Sequence, residues 1–264
     1  MALFPLTLIP AKPNIDFMRM RWVTMGVALV VFVASIAAIG IQGFNYALDF
    51  TGGTSVTLRF QQPPDVDDVR EQLARAGHGN AQVQTFGSGA DLLVRLSAEE
   101  EQLTVDQNAA LVEAVVAAVT SQENPAQVIS SESIGSQVSA ELASKAVNAV
   151  IFVLVGFLIY IGFRFEWKFA VVASITTFFD VLVVAGFWAA TGREFDLTVL
   201  AGMLAVMGFS INDTIVVFDR VRENFRSMRA DPLDVFNASI NQTLSRTIIT
   251  SVVFLLSVSA LYFY

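Results

Sequence analysis

The sequence predicts an α-helical polytopic membrane protein with a small α+β (ferredoxin-like) extracytoplasmic domain inserted between the first and second spans. Three observations carry that prediction. Of 264 residues, 54% are apolar and only 15% charged, and mean hydropathy is +0.59, whereas a globular chain holds about a quarter of charged residues. The charge is missing in blocks: 22–48, 146–163, 169–179, 181–192, 197–212 and 247–264 contain no Asp, Glu, Lys or Arg. Several of these approach the roughly 20 residues that a bilayer-spanning helix needs. The long water-soluble stretch, 43–145, carries 14 acidic and 5 basic side chains, a charge of −9 against −8 for the whole chain.

Residues 1–21 read as a cytoplasmic N-terminus with Lys12, Arg19 and Arg21. The first span is 22–42. A cleaved signal peptide is the rival reading, with small residues at Ala34–Ser35–Ile36. The apolar run continues through Ile41, however, too long for a signal's hydrophobic region, so a retained anchor is expected.

In 43–145, Thr54–Phe60 alternates as a strand with β-branched Val56 and Thr57. Val66–Ala76 reads as a helix with Val66, Val69 and Leu73 on one face. Gly77–His78–Gly79–Asn80 turns the chain. Ala81–Phe86 and Ala90–Leu96 form a hairpin around Gly87–Ser88–Gly89. Thr104–Thr120 is a second amphipathic helix, and Gln127–Ser131 a closing strand. The order β-α-β-β-α-β points to a small sandwich with its helices on one face.

Further spans follow at 146–163, 169–191 and 197–218, then a cytoplasmic loop at 219–244 and a fifth span at 245–264. Links as short as Arg164–Lys168 and Gly192–Asp196 require antiparallel neighbours. Lys and Arg set the orientation. Three lie in the N-terminus, two in the 164–168 link and five in 220–246, against Arg193 alone in the opposite short loop. The N-terminus is thus expected inside and 43–145 outside.

Composition also excludes classes. Outside 43–145 the charge is nearly balanced, which leaves no basic face for nucleic acid. With no cysteine, disulfides, thiol catalysis and Cys-ligated metals are excluded. No glycine-rich segment leads into the Lys-Ser/Thr of a phosphate loop, so Gly52–Gly53 and Gly87–Ser88–Gly89 read as turns. No cofactor, no metal and no enzymatic chemistry are indicated. His78 stands alone in a turn, and Glu99–Glu101 reads as a solvated surface. Asn237–Ala238–Ser239 and Asn241–Gln242–Thr243 match the glycosylation sequon but fall on the inner side.

Two carboxylates lie inside predicted spans, where a charge costs about 2.5 to 17 kcal/mol by contested estimates. Asp180 is about halfway along the third. Asp213 is in the fourth, roughly 10 Å along the helix from Arg220. Arg246 opens the fifth span from the same side, at a depth that can match Asp213. Polar residues surround both: Ser210, Asn212 and Thr214, then Asn241, Gln242, Thr243, Ser245 and Thr247. A carboxylate in low dielectric exchanges protons, and an arginine that approaches and withdraws would switch its proton affinity. A static ion pair, or an aspartate satisfied by hydroxyls and water, is the structural alternative. For Asp180 a helix-packing hydrogen bond is the favoured one. Ala201, Gly202, Ala205 and Gly208 give the fourth span a small-residue face suited to close contact or sliding, or to ordinary tight packing.

Leu48–Asp49–Phe50–Thr51–Gly52–Gly53 resembles the signature of the SecD/SecF family, in the resistance-nodulation-division superfamily. Gly208–Phe209–Ser210–Ile211–Asn212–Asp213–Thr214–Ile215–Val216–Val217–Phe218–Asp219–Arg220, extended by Arg222–Glu223–Asn224, is similar to the fourth-span motif of the SecF branch. Glu132–Ser133–Ile134–Gly135, Phe163–Arg164–Phe165–Glu166–Trp167–Lys168 and 237–251 match as well. The resemblance implies an accessory subunit of the bacterial Sec translocon in the cytoplasmic (inner) membrane. It would work with SecD, the SecYEG translocon and accessory subunits such as YajC, on exported unfolded polypeptides and among membrane lipids. The family draws polypeptides outward with the proton-motive force after the SecA ATPase has pushed them through. Its proton pathway carries over as Asp213 and Arg246, with Asp180 at a third-span acidic position whose role stays open. The family has a sixth span, which is missing after Tyr264, so the chain looks C-terminally truncated. Two other readings are weighed: a proton-coupled small-molecule or lipid exporter, against which the single external domain of about 100 residues speaks, and a passive translocon scaffold.

Overall fold

The computed structural model describes residues 13–86, 89–97, 105–121, 123–164 and 167–263. Lys12, the turn residues Gly87 and Ser88, the acidic triplet Glu99–Glu101, Thr104, the link residues Phe165 and Glu166, and Tyr264 lie outside them. The described residues form two compact units. One holds the helical segments up to Gly43, Leu154–Thr191 and from Gly202 onwards; the other holds Phe44–Val153 with Gly192–Ala201.

Among the described residues, five helices are long and apolar enough to cross a membrane: Met18–Gln42, Ser136–Arg164, Trp167–Thr191, Leu197–Ser227 and Pro232–Ala260. The α-helices proper are α1 (Arg21–Gln42), α5 (Ser136–Arg164), α6 (Trp167–Thr191), α7 (Leu197–Ser227) and α8 (Pro232–Phe263). Large apolar side chains stand exposed along them, including Trp22, Leu29 and Val30 on α1 and Phe152, Tyr160 and Phe163 on α5. Lipid is as apolar as these side chains, so nothing drives them inward. What holds helices together instead is close packing. On α1 and α6, Ser35 is buried against Gly186, and the Phe32 and Phe179 rings stack at 6.3 Å.

Three helices run well past the spans expected from hydropathy. α5 begins at Ser136 rather than 146, α7 continues to Ser227, and α8 starts at Pro232. The segment 219–244, expected as a loop, is therefore helical except at 228–231. Between Phe209 and Ala230 there is neither Gly nor Pro to stop the helix. The Asp231 backbone carbonyl then accepts from the amides of Asp234 and Val235, and Pro232 opens α8 at the position proline favours.

The second unit is built on a sheet of β2 (Gly53–Phe60), β3 (Gln82–Phe86), β4 (Asp91–Leu96) and β5 (Ala126–Ile134), with α3 (Val66–Arg75) and α4 (Val105–Val119) between them in sequence. Strand order is β3-β4-β2-β5, every pair antiparallel. Val56, Leu58 and Phe60 alternate inward from β2 and meet Val69 and Leu73 of α3 and Val115 and Val119 of α4 in one core. Asp65 caps α3 by accepting from the Asp67 amide at 2.8 Å. β5 runs three residues beyond the expected strand, and the register slips between Thr57 and Leu58 of β2.

Three short elements escape the hydropathy pattern: α2 (Leu48–Thr51), β1 (Asn45–Tyr46) and β6 (Glu194–Phe195). β1 and β6 pair in parallel, Asn45 with Glu194 and Tyr46 with Phe195.

Candidate functional site

The two carboxylates of the apolar helices meet hydroxyls. Ser210 Oγ of α7 donates to Asp180 Oδ2 of α6. Three residues further along α7, Asp213 Oδ1 accepts from Thr250 Oγ1 of α8 at 3.2 Å. The same Thr250 hydroxyl lies 2.9 Å from the Thr247 carbonyl oxygen, so it is shared between two acceptors. Both aspartates are half-buried. One turn of α7 is thus held from two sides, by α6 through Asp180 and by α8 through Thr250.

Arg246 is one helical turn before Thr250 and on the same side of α8. It is exposed, and among the described residues no ion pair joins it to Asp213. Beside it, Thr247 Oγ1 is buried with no hydrogen-bond partner among the described residues. The static ion pair weighed as the structural alternative is therefore not present among the described residues.

The rest of the fourth-span motif divides by position. Asp219 accepts from Arg164 at 2.7 Å, linking α7 to the end of α5, and Arg220 pairs with Glu223 at 3.0 Å. Asn224 is buried and donates to Ser239 Oγ at 2.9 Å and Gln242 Oε1 at 3.1 Å, clasping α7 to α8. Asn212 is exposed. Among the described residues, nothing packs closely against the small-residue face. Ala201, Gly202 and Ala205 are exposed, and a Cβ built on Gly202 or Gly208 meets nothing within 4 Å. The opposite face buries Met203, Met207 and Ile211.

The Leu48–Gly53 motif is a junction within the second unit. Leu48 is buried. Asp49 Oδ2 accepts from the Leu197 amide at 3.0 Å, at the first turn of α7, and the Ala47 amide donates to Phe195 O at 3.0 Å. The Phe50 ring packs 5.8 Å from both Tyr46 and Phe195, and Phe44 lies 5.0 Å from Phe195. Thr51 Oγ1 donates back to Ala47 O at 3.2 Å. Gly52 has φ +68°, and a Cβ there would stand 3.0 Å from Ser139 Oγ and 3.2 Å from Ile134 O. Only glycine combines that backbone with so close an approach to the start of α5. Gly53 then opens β2.

Several anchoring residues escaped the sequence reading. Arg95 of β4 is nearly buried; it pairs with Glu194 and donates to Tyr46 O at 2.9 Å and Asn45 Oδ1 at 3.2 Å. Asn237 and Asn241 of the two sequons pin the N-terminal segment to α8. Asn237 Oδ1 accepts from the Phe17 amide at 2.8 Å, while Asn241 accepts from the Ile15 amide at 2.9 Å and donates to its carbonyl at 2.8 Å. Their i, i+4 spacing on one helix face was the available signal.

The family described as protein export membrane protein SecD/SecF, C-terminal, matches residues 114–264, and the SecD/SecF GG motif matches residues 37–64. A protein translocase subunit SecF from Pseudomonas aeruginosa is 44% identical over 95% of this chain and 80% of its own length. The protein of that name from Escherichia coli O157:H7 is 38% identical over 94% of this chain and 77% of its own. Among solved structures, the crystal structure of SecDF, a translocon-associated membrane protein from Thermus thermophilus, superposes with a TM-score of 0.83 at 35% identity. That match covers 98% of this chain and 35% of the SecDF chain. A second SecDF structure, in a super-membrane-facing form, gives a TM-score of 0.60 with the same coverage. With five apolar helices, the glycine-pair junction and curated relatives covered over more than three-quarters of their length, this chain belongs to the SecD/SecF family of protein export membrane proteins, on its SecF branch.

Proposed function

We propose that this protein is the SecF-type subunit of a bacterial Sec translocon and that, together with SecD, it uses the proton-motive force to drive late steps of protein export across the cytoplasmic membrane. The observation that carries the reading is the turn of α7 holding Ser210 and Asp213. A half-buried carboxylate in an apolar helix accepts one shared hydroxyl bond, with Arg246 one turn away on the facing helix and not paired to it. A carboxylate so placed can gain and lose a proton as the arginine approaches and withdraws. Asp180, bonded to Ser210, would hold α6 to that turn, either as a packing contact or as a second member of the relay.

Support for a partner comes from the other face of α7. Its small residues Ala201, Gly202 and Ala205 are exposed. Small residues let a neighbouring helix approach closely, and an intramembrane helix of SecD is the occupant proposed here. SecYEG, YajC and the emerging unfolded polypeptide are proposed as further partners, in an inner membrane rich in lipid contacts.

In this reading the N-terminus is cytoplasmic, because Lys and Arg concentrate there, at 164–168 and at 220–246. Residues 43–145 then form an extracytoplasmic ferredoxin-like domain, which the β-α-β-β-α-β order and the β3-β4-β2-β5 sheet support.

The test uses the subunit co-expressed with SecD in inverted vesicles. Outward movement of a translocating precursor is followed with and without a proton gradient, for wild type and Asp213→Asn. Acceleration by the gradient in wild type alone makes Asp213 part of the coupling. An equal response in both returns Asp213 to a structural role, as a passive scaffold would require.

A further inference from the structure

We infer that the Leu48–Gly53 segment is the mechanical joint between the β-sheet domain and the helix that carries Asp213, with Asp49 as its positioning residue. The inference rests on the proton-coupled reading above and assigns the motif a task within it. Helix α7 already has a cap of its own: Asp196 Oδ1 accepts from the Val199 amide at 2.7 Å. Asp49 satisfies a second amide of the same first turn, that of Leu197, but from 148 residues away in sequence. A local cap stabilises the helix end; a distant one ties that end to something else.

What it ties it to is rigid. Asp49 sits on a single turn, α2, whose next two residues close against the start of α5 at Gly52 and open the central strand β2 at Gly53. The loop before α7 is fastened in parallel. Phe195 O accepts the Ala47 amide, the Phe195 ring is packed among Phe44, Tyr46 and Phe50, and Glu194 pairs with buried Arg95 of β4. The first turn of α7 therefore cannot shift without moving β2 and β4 or breaking these contacts. Sixteen residues further along the same helix, about 24 Å at the helical rise, lies Asp213. The backbone ladder of α7 is unbroken from Leu197 through Asp213, and through that continuity Asp49 would link movement of the sheet domain to protonation at Asp213.

A capping acceptor does not need its charge, since asparagine caps as well as aspartate and alanine does not. The experiment compares Asp49→Asn, Asp49→Ala, Asp196→Ala and Asp213→Asn in the vesicle assay, at matched levels of complex co-purifying with SecD. The joint predicts that Asp49→Ala loses most of the gradient stimulation, by more than roughly fivefold, the ratio that loss of one typical cap represents. Asp49→Asn should restore it, and Asp196→Ala, which removes a cap of similar strength but no tether, should keep it. If Asp49→Ala fails to assemble, Asp49→Ser, too short to reach the amide, takes its place against Asp49→Asn. Full stimulation in the alanine or serine variant overturns the joint, as does equal loss in Asp49→Ala and Asp196→Ala, or failure of Asp49→Asn to rescue. Should Asp213→Asn itself keep the stimulation, the proton-coupled reading fails instead, and the two failures are told apart.

Discussion

Thr250 Oγ1 of α8 lies 3.2 Å from Asp213 Oδ1 of α7, and it is the hydrogen bond by which α8 reaches that carboxylate. The hydroxyl is shared with the Thr247 carbonyl oxygen, so it can release Asp213 without being left unsatisfied. Thr250→Val keeps the shape and removes the donor. A hydrogen bond to a charged group contributes about 1.5–3 kcal/mol, and a shared one falls toward the low end. Gradient-stimulated precursor movement should drop by roughly tenfold at that low end, and Thr250→Ser should retain it. Wild-type stimulation in the valine variant would mean that Thr250 only packs.

Asp180 and Ser210 lead to a different prediction, because their bond joins α6 to α7 and involves no cation among the described residues. Asp180→Asn keeps an acceptor for the Ser210 hydroxyl and should preserve thermal stability in detergent. Asp180→Leu removes the bond and should lower stability by about 0.6–2 kcal/mol, the range of interhelical hydrogen bonds in membrane proteins. If Asp180→Asn is as stable as wild type yet loses gradient stimulation, Asp180 belongs to the relay as well as to the packing.

The five apolar helices and the two aspartates within them were legible because an uncharged run, and a charge inside one, stand out from any soluble background. Helix ends were not. Hydropathy reports where lipid stops, whereas a helix stops where its backbone ladder does. The residues from Asp219 to Ser227 are charged yet hold no breaker, so α7 continues through them. The true punctuation, Asp231 followed by Pro232, was open to view as a capping signal. The partners of the aspartates were hidden, since hydroxyls are common in spans and only the rotation of each helix decides which ones meet. Arg95 and Glu194, 99 residues apart, had no local signal at all. The motif around Asp49 was recognised by resemblance, but its role as a cap for α7 depends on a contact across 148 residues.

Gly186 predicts the tolerance of the α1–α6 contact. A Cβ at that position would stand 2.3 Å from Ser35 Cβ and 2.5 Å from its Cα. Gly186→Ala must therefore push the helices apart, at about 1–3 kcal/mol for an overpacked site. The thermal unfolding midpoint of the purified protein should fall accordingly. Adding Ser35→Gly should recover only part of the loss, because the Ser35 Cα clash involves backbone that the second substitution leaves in place. Full recovery would show that the side chain alone sets the spacing.

Arg59 and Asp91 predict how the sheet responds to acid. They face each other across β2 and β4, and the guanidinium Nε and Nη2 donate to the two carboxylate oxygens at 2.8 and 2.9 Å. That hydrogen bond, helped by the charge of Arg59 and opposed by burial, holds the Asp91 carboxyl below the usual carboxylate range. The folded state thus binds this proton more weakly than the unfolded chain. The contribution of the pair is fully present above the unfolded value, about 3.9, and is lost as pH falls through the lower folded one. Arg59→Met removes it. Amide exchange at Leu92–Val94, corrected for intrinsic rates, should be faster in the variant at neutral pH, and the difference from wild type should close below about pH 4. A difference that stays constant into acid would mean that Arg59 stabilises β2 and β4 through its packed stem, and that its charge on Asp91 contributes nothing.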